Sequence, residues 1–435
     1  MNIRKSIILL SLLLVASILL SLGIRKNFGS EVGYVNDYGD KIVYAVRGSW
    51  YPYSKNPYTE VPSEYPQAAT YFFALPYVIM GFPGPLDTRL IGGLENFVNS
   101  DIPLNANAQS APHLRNKLFM RYSLIFSLLM VPFLFFSILL VYKLRPDRKH
   151  LAFLMLLPAG LYFTHNRFDI IPAFLGLLSI YLVSKNRFKS SASVIAIGFL
   201  TKWYLVLLMP VFLTYYYTLR RRINWSMALV FLIVCSAVLL PVFLSSGLKG
   251  LLAPYITQLS RSTNQPSLFF LISRFLDRGF GVDIDNPFFA ALTLLLQFSV
   301  IPLCVTSRVD SVDKVIRWSA LSILVFIIFA RINSPQWILW VNPLLIMIAA
   351  RRFDVIGVVL LDLLSYLQFP VLYNIRTITD GYFNLFLLVF SLKLGLLIYF
   401  TICIFESLIG DNIVFSYIKG NSGRLSGPGG PVCRM

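Results

Sequence analysis

The residues able to do chemistry in this chain are few and gather in short polar stretches. Asp37, Asp40, Glu64 and Tyr65 lie between residues 24 and 117. His165, Arg167 and Asp169 crowd into 164–170, and Lys202 sits in 201–203. Arg261 stands in a second polar stretch, and Arg331, Asn333, Ser334, Gln336 and Trp340 follow near 331–340. A positioned carboxylate can take the proton of an attacking hydroxyl. Fixed cations can stabilise the charge that develops on a leaving phosphate. Acids and cations together suit a site that handles an anionic substrate and moves a proton. Each residue also has a plainer reading. Asp37 or Asp40 alone could be a solvated loop carboxylate, and Asp169 a helix-end charge beside Arg167. Lys202 could snorkel to an interface, His165 could be a polar turn residue, and the aromatics of 50–58 an interfacial belt.

The elements that must hold these residues are apolar helices. Of 435 residues, 57% are hydrophobic and 13% charged, against about 25% charged in soluble domains. The mean hydropathy is +0.69. Apolar runs of about 17–25 residues, long enough to cross a bilayer, recur along the chain. The pattern predicts an all-α, polytopic membrane protein with about twelve transmembrane helices. The formal charge of +18 would suggest nucleic acid in a soluble protein. Here the Lys and Arg residues cluster between apolar runs, as in cytoplasmic loops, and no nucleic-acid partner is expected. Cys235, Cys304, Cys403 and Cys433 show no metal-ligand or disulfide spacing.

Placing Arg4 and Lys5 in the cytoplasm sets the topology. The run from Ser6 to Gly23 reads as an uncleaved first span, followed by an extracytoplasmic loop over 24–117. Spans at 118–142, 151–164, 170–184, 190–201, 203–218 and 225–245 follow. After a second extracytoplasmic loop over 246–286 come 287–305, 315–330, 337–350, 354–373 and 383–405. Every tight basic cluster (143–149, 185–189, 220–222, 351–352) then falls on one side, as the positive-inside rule requires. Counting 68–82 as a span would break that pattern. It is expected instead as a helix lying on or dipping into the outer surface, or buried in protein, with a similar helix over 267–277. Residues 1–412 form one transmembrane domain, and 413–435 a Gly/Ser/Pro-rich, disordered cytoplasmic tail. The ionisable residues are read as lying at span ends rather than mid-membrane.

Three motifs then stand in order. The first is Asn36-Asp37-Tyr38-Gly39-Asp40 with Tyr44 and Gly48, then Trp50-Tyr51-Pro52-Tyr53 and Ser63-Glu64-Tyr65-Pro66. The second is Asn166-Arg167-Phe168-Asp169-Ile170-Ile171-Pro172 with Phe199-Leu200-Thr201-Lys202-Trp203-Tyr204. The third is Asn333-Ser334-Pro335-Gln336-Trp337-Ile338-Leu339-Trp340. Together they resemble GT-C glycosyltransferases, in particular the polyprenyl-phosphate-mannose-dependent mannosyltransferases of family 87. The resemblance covers about residues 1–350. Gln67 stands where the family has a second proline, and Leu205 follows Tyr204 where the family has Tyr-Pro.

The resemblance implies a GT-C-like fold with its site on the extracytoplasmic face of a bacterial or archaeal plasma membrane. It implies inverting transfer of a sugar, mannose by family default, from a polyprenyl-phosphate donor to a lipid or glycan acceptor. In that scheme Asp37 is the base, with Asp40 as runner-up. Lys202, Arg331 and Arg261 face the donor phosphate, with His165 and Arg167 behind them. Glu64 and Asp169 bind sugar hydroxyls or orient the cations, and Tyr65, Gln336 and Trp340 shape the pocket. Asp37 and Asp40 could give two oxygens to a divalent cation, but no further acidic cluster is obvious, so no cofactor is expected. The rival class is a transporter or lipid-linked sugar flippase, which should carry ionisable residues near mid-membrane.

Overall fold

The structure is a computed structural model that describes residues 8–16, 36–52, 55–61, 63–81, 117–259, 267–273, 287–373 and 382–409. The described residues form helices joined by turns and contain no strand; Pro57 and Val61 make an isolated bridge. Arg261, the stretch 82–116 and the tail 413–435 lie outside them. Of the first expected span, 8–16 is described and is helical; of 267–277, residues 268–273 are helical.

Between residues 36 and 81 the described residues form two short helices, α1 (Tyr38–Gly48) and α2 (Gln67–Ile79). Among the described residues, five helices are long and apolar enough to cross a membrane. They are α3 (Lys117–Leu144), α8 (Trp225–Leu259), the pair α9 (Pro287–Phe298) and α10 (Val300–Val305), α13 (Arg352–Tyr366) with its extension to Leu372, and α14 (Tyr382–Ile409). A sixth candidate is bent: α4 (Pro158–Asn166) and α5 (Ile170–Ser184) meet at 110°. The chain is therefore an all-α membrane protein. The other helices are shorter: α6 (Phe188–Phe199), α7 (Leu208–Arg220), α11 (Val312–Ile328) and α12 (Ile338–Ile348).

Two expected elements differ. The run 151–164 is not one span but a tight 3-10 coil, Pro146–Leu156, followed by α4. Pro158 explains the break: the residue before a proline is pushed to extended backbone, and Leu157 sits at φ −64°, ψ 163°. The expected loop 246–286 begins as helix, because α8 resumes after a break at Gly247, whose φ of 60° favours glycine. The residue before that break and the second half of α8 brace the first loop. Ser246 donates to the Pro57 carbonyl at 2.7 Å, Gln67 to that of Leu251 at 2.9 Å and Gln258 to that of Glu64 at 3.2 Å.

The helix expected over 68–82 is α2, and it is packed on protein. Gly48 at the end of α1 meets α2 so closely that a Cβ there would fall 2.2 Å from the Phe73 carbonyl oxygen. Tyr44 stacks on Phe73 at 4.6 Å, and the hydroxyls of Tyr77 and Tyr122 donate to Ala45 and Phe73 carbonyls at 2.9 Å. These contacts tie α1 and α2 to α3. At the other end of α3, Arg145 pairs with Asp313 and Arg148 donates to the Ala349 carbonyl. The basic 143–149 segment thus meets the starts of α11 and the end of α12 at one end of the bundle.

A further correction concerns the spans themselves. Asp362 and Lys393 are not at span ends but inside α13 and α14, 0% and 3% exposed. Asp362 accepts from the backbone N–H groups of Ala159 and Gly160 at 2.9 and 3.1 Å. The first N–H groups of a helix have no partner within it, so a carboxylate from α13 caps α4.

Candidate functional site

The site begins at the N-terminus of α1. Asp37 is the N-cap: its Oδ1 accepts from the Gly39 N–H at 2.9 Å, and its own N–H donates to Asn166 Oδ1 at 2.8 Å. Asp residues are favoured there because they satisfy an orphan donor. One turn later Asp40 projects from the same end. The guanidinium of Arg167 lies between them and pairs with both carboxylates. Arg167 is at the elbow between α4 and α5, so the 110° bend is what aims it back at α1. Beyond it, Arg167 rests over the Phe369 ring at 5.2 Å.

Burial separates the two acids. Asp37 is 1% exposed, whereas the Asp40 side chain is 35% exposed. Burial pushes the Asp37 carboxyl up to about 6, against the pull of Arg167. A second buried cation, Lys41, donates to Asn36 Oδ1 at 3.2 Å, and burial drives it down to about 7. His165 Nε2 meets the same Asn36 oxygen at 2.8 Å. His165 thus belongs to the support of the α1 N-terminus.

The second half of the site is centred on Lys202, in the break after α6. Its ammonium lies 3.5 Å from Asp169 Oδ1 and above three rings: Phe168 at 4.8 Å, Tyr65 at 5.2 Å and Trp340 at 5.5 Å. Aromatic faces attract cations, so this is a cage with one carboxylate wall. Trp340 donates its indole N–H to Asp169 at 3.1 Å and stacks on Tyr204 at 4.1 Å and Trp337 at 4.7 Å. The two halves touch through rings, since Phe168 packs against Tyr44 at 5.6 Å and Tyr65 at 5.2 Å.

The structure therefore joins Asp37, Asp40, His165 and Arg167 in one cluster and Tyr65, Asp169, Lys202 and Trp340 in the adjoining one. Glu64 pairs with Arg47 at 3.1 Å, beside the second cluster in the chain but held by α1. Gln336 lies half-buried in the turn Pro335–Trp337 that precedes α12, and Arg331 half-buried in the turn after α11. Arg261 falls outside the described residues. Sequence reasoning gave no role to Asn36, Lys41, Arg47, Asn166 or Phe369. Lys41 carried a visible signal, a cation four residues after Asp37. The others act through neutral contacts or distant pairing, which spacing does not reveal. Among the described residues no cluster of three or more His, Cys, Asp or Glu side chains could hold a metal. The Asp37 and Asp40 carboxylates converge on a guanidinium. The chain matches no protein-family model, and no curated protein matches it.

Proposed function

We propose that the chain is a membrane-embedded inverting glycosyltransferase that moves a sugar, mannose first among the candidates, from a polyprenyl-phosphate donor to a lipid or glycan acceptor. The proposal includes about twelve membrane passes, cytoplasmic termini and a site on the extracytoplasmic face. The observation that carries it is a one-third-open carboxylate, Asp40, held by a buried guanidinium next to the Lys202 cage. The difference in burial favours Asp40 over Asp37 as the base, the opposite of the order expected from the resemblance. Asp37 is enclosed and serves α1 and Arg167; Asp40 can reach an acceptor. In the proposed step the acceptor hydroxyl oxygen attacks the anomeric carbon and its proton passes to Asp40. The bond from that carbon to the phosphate oxygen breaks, and the electron pair leaves with the polyprenyl phosphate. Lys202 and Arg331 face that departing charge, with Arg261 as a further candidate. No metal takes part in the scheme, because Arg167 already places positive charge between the carboxylates.

The test is transfer from labelled polyprenyl-phosphate-mannose in proteoliposomes. Asp40→Asn should lower the rate by about 10²–10⁴-fold, the usual worth of a general base. Asp37→Asn keeps a capping side chain and should retain measurable transfer. The opposite result, with Asp37→Asn inactive and Asp40→Asn active, would return the base to Asp37. Transfer by neither wild type nor variants with any donor sugar would reject the enzyme. A transporter or flippase is the second reading, favoured by one observation, the buried Lys393 inside α14.

A further inference from the structure

Helix α8 is too long for a single crossing. Its 35 residues reach about 52 Å at ~1.5 Å per residue, against about 30 Å for a hydrocarbon core. The break at Gly247 divides it, with φ 60° and ψ −160°, backbone that no helix contains. Residues 225–246 make about 33 Å of helix, which matches the core. They open at Trp225, 72% exposed, just after Arg220, Arg221 and Arg222. Tryptophan and basic residues together mark a membrane interface. A crossing that starts there is complete at Gly247, and residues 248–259 lie beyond it.

Those residues have two faces. Leu248, Leu252 and Ile256 are spaced four apart and so share one side of the helix. They are 62%, 43% and 60% exposed. Exposed Lys249 flanks them. On the other side Gly250 and Pro254 are buried. The Leu251 carbonyl accepts from Gln67, Gln258 donates to the Glu64 carbonyl, and Tyr255 lies flat on Trp203 at 5.0 Å and 2° from parallel. The exposed leucines also continue the surface of the crossing. Leu240, Leu244 and Leu248 are spaced four apart across the break, and all three are more than half exposed. On a membrane-crossing helix that surface faces hydrocarbon.

We propose that residues 248–259 form an interfacial helix that lies on the bilayer, with Leu248, Leu252 and Ile256 in the hydrocarbon boundary and Lys249 among the lipid phosphates. An apolar stripe edged by a basic residue is the pattern that binds a lipid surface in this way, and the lysine stem can reach along apolar surface while its ammonium stays at the headgroups. The partner is the bilayer itself, because the stripe is continuous with the lipid-facing side of the same helix. Helix α2, the segment expected from sequence to lie on the membrane, packs on protein instead, and this helix takes that place. Gln258 and Tyr255 hold the neighbours of Tyr65 and Lys202, so the cage stands beside the headgroups. The proposal goes beyond the transferase reading and does not depend on it.

The experiment places a bimane on single cysteines, Leu252→Cys and Ile256→Cys, in the full-length protein on a cysteine-free background. The protein is reconstituted in phosphatidylcholine–phosphatidylglycerol liposomes. Leu240→Cys in the crossing and Glu60→Cys in the first loop are the references. Two quenchers are compared, lipid brominated on its acyl chains and iodide on both sides of the membrane. The bromines should quench both stripe positions about as strongly as Leu240→Cys, at the depth of about 5–10 Å typical of interfacial helices. Iodide should quench them several-fold less than Glu60→Cys. Failure of the bromines at both stripe positions overturns the proposal: with iodide quenching the stripe lies in water, and without it protein covers the stripe. Failure at Leu240→Cys as well would sink the crossing and the proposal together. Should Leu252→Cys not fold, Leu248→Cys reads the same stripe. Sugar transfer enters none of these measurements, so loss of the transferase reading leaves the interfacial helix standing, and the reverse holds too.

Discussion

At the residue scale the site is a set of ion pairs graded by exposure. Arg167 is enclosed by Asp37, Asp40 and the Phe369 ring, whereas Lys202 keeps 17% of its side chain open. The fully buried Lys41 gives this gradient a measurable pH dependence. It faces Asp37 and Asn36 on its own segment, and Arg167 and His165 across from it. Its folded value near 7 lies below the ordinary lysine value of 10.5. Between these values the unfolded chain binds the extra proton, so stability rises with pH. That contribution is complete above about 10.5 and is lost as pH falls through about 7. Thermal melting from pH 7 to 10 should show wild type gaining on Lys41→Met, and a constant difference between them would refute the assignment. The types of the site residues were readable in sequence. Their ranking was not: Asp37 and Asp40 look alike as a spaced pair, and only the cap at Gly39 and the burial behind it separate them.

At the element scale the decisive features are breaks in helices rather than helices. The elbow between α4 and α5 aims Arg167 and Asp169, the break after α6 presents Lys202, and the wide π-helical turn that extends α13 presents Phe369. Pro158 and Gly247 announced two breaks in sequence, but hydropathy averages over them and reads continuous spans. The cap on α4 was hidden for another reason, since Asp362 and its two backbone donors lie far apart in the chain. Replacing it by leucine leaves the Ala159 and Gly160 N–H groups buried without partners. Asp362→Leu should cost about 1–3 kcal/mol per orphaned group. Asp362→Asn retains an acceptor oxygen and should lose less. Unfolding in mixed detergent checks both, and equal stability of wild type and Asp362→Leu would exclude the capping role.

At the scale of the whole molecule, polar function and basic charge separate to different ends. Arg145, Arg148, Asp313 and Ala349 meet at one end, and the clusters around Arg167 and Lys202 gather elsewhere on α4–α6. Membrane character and helical class followed from composition alone, because apolar runs of spanning length have few other uses. The number of passes did not, because several runs fold as helices of 9–17 residues that length alone does not assign to a span. Single cysteines at exposed Glu60 and exposed Lys149, on a cysteine-free background, should label from opposite sides with an impermeant maleimide. Labelling of both from one side would refute the proposed topology. The tryptophan stack has a consequence for how the molecule absorbs light. Two of its six tryptophans, Trp337 and Trp340, lie 4.7 Å apart and 19° from parallel. Their indole transitions couple, so the near-ultraviolet circular dichroism of the entire protein carries an exciton couplet. That couplet originates beside Lys202 and vanishes in Trp337→Leu, giving the site an intrinsic chiroptical signature that needs no added dye.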